Sequence, residues 1–256
     1  MSTKQRLTTV QQAKVKLIEH HNSWLANNDP EVLYAHVIHS WRVQKILDFT
    51  TDVSGKILDI GCFDGFVTEK IIKQGGKEVI GIDRLEKALK LAEVRGVKTI
   101  LADIDEANLD FPDNHFDCVL AADVLNSVYD PDAVIEEIFR VLKPKGKLII
   151  TVPNLTSSSN RLRMLLGFAP YNLEVRARQG VGHLRLFTFK TMRELLSDHD
   201  FAVQKMSSSV FAFPLIHIKS KRPEYKQPRI FFSKFLAQIF PKWGENIIVL
   251  AEKGKG

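Results

Sequence analysis

The sequence predicts an α/β fold: a doubly wound, mostly parallel seven-stranded sheet with an N-terminal helical cap and a lid inserted after the fifth strand. Three observations predict it. From Lys56 onward, apolar runs of strand length alternate with helical patterns, the signature of a sheet covered on both faces with right-handed crossovers. The first run, Lys56-Ile57-Leu58-Asp59-Ile60, breaks into the turn Gly61-Cys62-Phe63-Asp64-Gly65 before a helix begins at Phe66. A second run, Glu78-Val79-Ile80-Gly81-Ile82, ends in Asp83, placed to accept hydrogen bonds from ribose hydroxyls.

The elements follow in order. Residues 10–27 and 31–49 read as helices broken at Asn28-Asp29-Pro30, with Asp29 as a cap, and residues 1–50 form the helical cap. Residues 51–256 are expected to make one domain. Its strands are expected near 56–60, 78–82, 97–101, 116–121 and 147–152, with helices near 66–74, 84–94 and 131–142. Lys143-Pro144-Lys145-Gly146 reads as the turn that ends the last of these helices. The stretch from Leu155 to Phe187 is too long for a plain connection, so a lid over about 155–187 with a helix near 158–167 is expected. A helix at 188–199, strands at 202–211 and 246–252, and a basic, proline-punctuated loop at 219–229 complete the chain.

A chain of 256 residues can bury a sizeable core, and its 45% apolar and 26% charged residues are those of an ordinary globular protein. No apolar run has the length of a membrane span and the start Met1-Ser2-Thr3-Lys4-Gln5-Arg6 does not read as a signal peptide, so a cytoplasmic location is expected. Cys62 and Cys118 fall in or beside strands and are expected to be buried and reduced. The net charge of +6 divides into +2 over residues 1–50, −6 over 51–150 and +10 over 151–256. An acidic middle suits a cofactor carrying positive charge. A basic last third suits a phosphate, a carboxylate, nucleic acid or an anionic membrane, or is simply a solvated face.

Together these residues resemble the class I S-adenosylmethionine-dependent methyltransferases, from about Trp41 to the C-terminus. The motifs that carry the resemblance recur in order: Ile57 to Gly65, Asp83, Asp103-Ile104, Asp110 to Asp117, and Asp130-Pro131 through Lys143-Pro144-Lys145-Gly146. Ser159-Asn160-Arg161-Leu162, Leu165-Leu166-Gly167 and Gly182-His183-Leu184-Arg185-Leu186-Phe187-Thr188 are similar to a narrower group acting on small molecules, including cell-surface and quinone precursors. The resemblance implies a Rossmann-like fold, S-adenosylmethionine as cofactor, and a small, oxygen-bearing and optionally anionic acceptor. It implies a cofactor-binding set of Arg42, Asp59, Gly61, Cys62, Phe63, Asp83, Arg84, Asp103, Ile104, Ala122 and Asp123. Within that set Gly61 admits the methionine part, Asp59 faces its ammonium and Asp83 takes the ribose. Asp103 and Ile104 hold the adenine, Ala122 and Asp123 face the methyl group, and Arg42 meets the carboxylate. Two departures stand out: Phe63 replaces a usual glycine, and Asn126-Ser127 replaces the common Glu-His pair after strand four.

Methyl transfer from a sulfonium is an in-line displacement, so alignment matters most and a base is needed only for some acceptors. His183 is the candidate base; its alternative role is to pin the lid to the sheet. Asn154, Tyr171, Arg176 and Arg185 are candidate substrate contacts, with Arg178 also on the lid. A turn role for Asn154 and a salt bridge for Arg185 are the alternatives. Tyr34, His36, His39 and Trp41 lack the cysteine or carboxylate that would complete a ligand set, so no metal is expected. Residues 230–240 carry apolar side chains at helical spacing, either core or a peripheral membrane contact. An RNA methyltransferase, suggested by the basic last third, and a non-catalytic cofactor-binding partner remain alternative functions. No appended RNA-binding module is evident.

Overall fold

The computed structural model describes residues 37–106, 108–170, 173, 183–211 and 228–254, with Glu19 and Ser23 in helical backbone. Helix α1 (Val37–Thr50) leads into β1 (Gly55–Ile60), α2 (Phe66–Ile72), β2 (Lys77–Asp83), α3 (Glu86–Val94) and β3 (Lys98–Leu101). After a 3-10 turn at Ile104–Glu106 come β4 (Phe116–Ala122), α4 (Pro131–Val141), β5 (Leu142–Pro153) and α5 (Ser158–Leu165). The chain ends with α6 (Phe189–Asp198), β6 (Phe201–Ser207), α7 (Pro228–Ile239), a 3-10 turn at Pro241–Trp243, and β7 (Asn246–Lys253). Among the described residues the seven strands form one sheet in the order β3-β2-β1-β4-β5-β7-β6. The first five are parallel, and β7 runs antiparallel between β5 and β6.

The order reverses between β1 and β4, and the crevice at such a switch point is where open α/β sheets bind ligands. Continuous apolar runs in β1 and β4 suit central strands buried on both faces. Leu58, Ile60, Val119 and Ala121 face Val134, Ile135 and Ile138 of α4 and Met192 and Leu196 of α6. Ile57, Cys118 and Leu120 point the other way, onto Ile46 and Phe49 of α1 and Ile71 of α2. Helix α1 therefore covers one face of the sheet. The expected helix at 10–27, and residues 31–36 of the next, lie outside the described residues apart from Glu19 and Ser23. Of the aromatic and histidine cluster, only the Trp41 side chain is described; Lys45 Nζ stands 5.0 Å from its ring centre.

The structure differs from the expected elements at two points. Lys143-Pro144-Lys145-Gly146 is not a turn between helix and strand but part of β5, accommodated as a bulge: Phe116 faces Leu142 while Cys118 faces Lys147. Lys145 takes φ 65, and a Cβ on Gly146 would lie 2.8 Å from the Lys143 carbonyl oxygen. Strand β6 stops at Ser207 rather than 211. There Ser208 and Ser209 turn inward, and Ser209 Oγ donates to Asn246 Oδ1 at 2.7 Å. Both cysteines are buried and free, as expected.

Local signals explain the helix starts. Asp130 caps α4 by accepting from the Asp132 and Ala133 amides, both at 3.1 Å, ahead of Pro131. Thr188 and Thr191 cap α6 reciprocally. Lys253 Nζ closes the other end of α4, donating to the carbonyls of Phe139 at 2.6 Å and Leu142 at 2.7 Å.

Candidate active site

The carboxyl edge of the sheet gathers most of the described residues singled out from sequence. After β1, the amides of Gly61 and Cys62 both donate to the Ile82 carbonyl, at 2.8 and 3.0 Å, so the turn is laced to β2. Gly61 has φ 69, and a Cβ there would meet Val124 Cγ2 at 2.8 Å, so this position requires glycine. Gly65 is equally constrained: its Cβ would sit 2.7 Å from Ala92 Cβ, where α2 packs close to α3. Phe63 stands between them at φ 51, in the left-handed region a glycine would adopt without strain.

Two carboxylates flank this turn. Asp83 accepts from the Phe63 amide at 3.0 Å through Oδ2 and from the Leu85 amide at 2.8 Å through Oδ1. One bond braces the turn and the other starts α3, and each oxygen keeps a lone pair. Asp59 is 2% exposed and accepts from Thr68 Oγ1 of α2 at 2.5 Å. Burial pushes its carboxyl up to about 7, against the Thr68 hydrogen bond and with the Asp83 charge adding to the rise. Burial also raises Asp83, opposed by the Leu85 and Phe63 amides and by Arg84. Burial raises the Cys62 thiol beside them, and the surrounding carboxylates raise it further, so Cys62 is an inert packing group.

The remaining cofactor candidates make contacts of their own. Asp103 accepts from the Asp105 amide at 3.1 Å and starts the 3-10 turn, while the Ile104 side chain enters the core. Arg84 lies 3.8 Å from Asp105, whose other oxygen accepts from the Tyr129 amide at 2.7 Å. Asp105 thus ties the end of β3 to the loop after β4. Sequence reading missed it, and the only signal was a second acid two positions past Asp103. Arg42 of α1 forms an ion pair with Asp123, which follows Ala122 at the end of β4 with φ 58. Two positions chosen for separate roles, the carboxylate and the methyl end of one ligand, are therefore brought into contact.

His183 reaches the same edge. Its Nδ1 meets the side-chain amide of Asn126, which is buried, and the Leu184 and Arg185 amides donate to the Asn126 carbonyl at 2.7 and 3.1 Å. Burial holds the His183 imidazole below its ordinary value. The chain at 183–187 is thus strapped across the loop that follows β4.

Two expected substrate contacts are engaged within the fold. Arg185 gives its guanidinium to the carbonyls of Val128 and Tyr129, clamping that strap in place. Asn154 is buried, donates to the Lys242 and Gly244 carbonyls at 3.1 and 2.7 Å, and accepts from the Thr156 amide and hydroxyl, each at 2.9 Å. Its side chain is saturated by the fold. Tyr171, Arg176 and Arg178 lie outside the described residues. Among the described residues no group of three or more His, Cys, Asp or Glu is arranged to hold a metal. A cavity of about 730 Å³ lies at the opposite, amino-terminal edge, lined by residues such as Lys56, Lys77 and His115, and takes no part in this site.

Residues 58–150 match the family model described as a methyltransferase domain. Over these residues the chain carries a methyltransferase domain. That match takes in the turn, Asp59, Asp83, Asp103 and Asp123, and leaves Arg42, Asn154, His183 and Arg185 outside. The methyltransferase relatives are partial in extent. A sterol 24-C-methyltransferase of Aspergillus fumigatus is 37% identical over 36% of this chain and 26% of its own length. A ubiquinone biosynthesis O-methyltransferase of Neisseria meningitidis is 29% identical over 48% of this chain and 55% of its own. The chain thus spans a quarter to about half of these two curated relatives. A crystal structure from Thermotoga maritima, described as a methyltransferase, possibly a histamine N-methyltransferase, superposes with a TM-score of 0.63 at 17% identity, over 94% of this chain and 98% of that one. At that identity the likeness establishes the fold alone. The two curated relatives are named for carbon and oxygen transfer, so the methyltransferase domain itself does not specify the acceptor atom.

Proposed function

We propose that this protein transfers a methyl group from S-adenosylmethionine to a small, oxygen-bearing acceptor, with an anionic acceptor as the first class to screen. The observation that carries the reading is the Asp83 carboxylate, held at the switch point by the Phe63 and Leu85 amides with a lone pair on each oxygen for a ribose diol. Asp59 adds a buried carboxyl, raised to about 7, for which a ligand ammonium is the natural partner. The clash a Cβ would create at Gly61 keeps the turn's backbone bare for a close approach.

When bound, S-adenosylmethionine supplies an electrophilic methyl on sulfur. The chain's own task is then to align the acceptor and to take its proton. We assign the proton to His183 Nε2. As placed, the Asn126 side-chain nitrogen faces His183 Nδ1 while the buried Asn126 side-chain oxygen has no hydrogen-bond partner; turning that amide puts the oxygen on Nδ1–H, and Nε2 then keeps its lone pair. The depressed His183 value keeps the ring neutral at pH 7.

Titration calorimetry of the full chain with S-adenosylmethionine, S-adenosylhomocysteine and NAD tests the cofactor. Micromolar binding of the first two and none of NAD is expected. Asp83→Ala should weaken both by about 100-fold, two charge-assisted contacts' worth, while circular dichroism stays unchanged. Unaltered affinity in that variant removes the basis of the assignment. A second reading, a cofactor-binding chain without turnover, draws on Phe63 and on Asn126-Ser127. It takes over if binding is tight and no acceptor in a broad panel is methylated.

A further inference from the structure

We propose that the surface shared by α5, α7 and the Pro241–Trp243 turn docks on an anionic lipid bilayer. Exposed large apolar side chains are normally scattered singly, but here they gather on adjoining elements. Leu165 at the end of α5 is 82% exposed and Phe168 just beyond it 59%. Phe235, Ile239 and Phe240 are each about half exposed, and Trp243 is 44% exposed. Ala237 alone of the described α7 side chains is buried, so the stripe expected at 230–240 is only partly core.

Spacing lines these groups up. Arg161 and Leu165 are one helical turn apart on α5, as are Phe235 and Ile239 on α7. The two stripes meet where the Arg161 guanidinium lies 4.6 Å from the centre of the Trp243 ring. Arg163 covers the Phe168 ring at 5.8 Å and donates to the Ala169 carbonyl at 2.8 Å. The joint beneath is fixed by Ser159 Oγ, which donates to Glu245 at 2.7 Å, and by the two Asn154 bonds to the Lys242 and Gly244 carbonyls.

Charge selects the occupant. Among the described side chains of this surface, Arg161, Arg163 and Lys242 carry positive charge and none is a carboxylate. Glu245, just past the Pro241–Trp243 turn, is turned inward onto Ser159. Apolar groups flanked by cations match acyl chains beneath anionic headgroups, whereas a second copy of the chain would set these cations against themselves. Among the described residues no helix is long and apolar enough to cross a membrane, so the contact is one of surface against surface.

The inference does not depend on methyl transfer, and its test reads no activity. The full chain is sedimented with phosphatidylcholine vesicles, with and without phosphatidylglycerol. Binding is expected only to the anionic vesicles, weakening as salt rises. The double variant Leu165→Glu/Phe240→Glu should bind at least about tenfold more weakly. Both sites are exposed, and an unchanged circular dichroism spectrum verifies its fold. Lys56→Ala/Lys77→Ala, at the opposite edge of the sheet, should bind as the wild type does. Absence of binding to anionic vesicles overturns the proposal, as does undiminished binding by the double variant. A concentration-dependent dimer that the double variant abolishes would also overturn it, by showing that a second copy covers the surface.

Discussion

The two ends of the sheet solve different problems. From β1 to β4 the strands are parallel, and each brings a carboxylate to or just past the same edge: Asp59, Asp83, Asp103 and Asp123. From β5 onward the sheet turns antiparallel, and the polar side chains near its edge serve the backbone, as Asn154 and Arg185 do. Residues 51–150 carry −6 and the residues from 151 onward +10. The contrast teaches where function is written. A cofactor common to many chains is met by short motifs on consecutive strands. The surfaces that choose an acceptor or a location are assembled from distant segments.

His183 breaks the comparison most sharply if it does what we assign to it, because it brings chemistry from the second region to the edge of the first. His183→Gln should cut turnover by about 10²–10⁴-fold and leave S-adenosylmethionine affinity unchanged. The wild-type rate should fall as pH drops through the His183 value, which burial places below 6.5, and the variant should lack that limb. The same depression means that any stability linked to the neutral ring is present above 6.5 and lost as pH falls through the folded-state value. A variant with full activity returns His183 to the strap that Leu184 and Arg185 form.

Asn154→Ala sharpens the comparison from the structural side. It strands two buried carbonyls and deletes a turn, so a loss of about 2–4 kcal/mol in urea unfolding is expected. The folded fraction should bind cofactor as tightly as the wild type. Weaker binding would mean that the two regions are coupled more closely than their separate contacts indicate.

These contacts also show what was legible in the sequence. The first region was readable because its signals are local: a strand, an acid, a glycine turn and a helix lie within a few residues, and Asp130-Pro131 announces a cap beside its own helix. The second was not, because its decisive partners are remote. Asn154 donates to Gly244, 90 residues away, and Lys253 to Leu142, 111 residues away. Reading alone left Asn154 and Arg185 open between substrate and structure because polar side chains near a strand end look available until their backbone partners are known. Lys143-Pro144-Lys145-Gly146 misled in another way. Proline and glycine argue for a turn, but pairing with β4 keeps the segment in the sheet as a bulge.

Phe63 gives the smallest effect and the finest test, since it is the one position in the glycine turn where local rules are broken. A left-handed backbone costs a non-glycine residue about 1–2 kcal/mol. Phe63→Gly removes that strain but adds a backbone entropy cost of about 0.5–1 kcal/mol. It also forfeits the ring's packing, so the net change in stability should stay within about 1 kcal/mol. The bond from residue 63 to Asp83, 3.0 Å long, is made by the backbone amide and survives the substitution. Cofactor affinity should therefore remain within about threefold of wild type, or about 0.7 kcal/mol. A gain of about tenfold or more would place the ring in the cofactor's path. The turn would then be shaped for something beyond cofactor binding, and the separation between the two regions would fail at its strongest point.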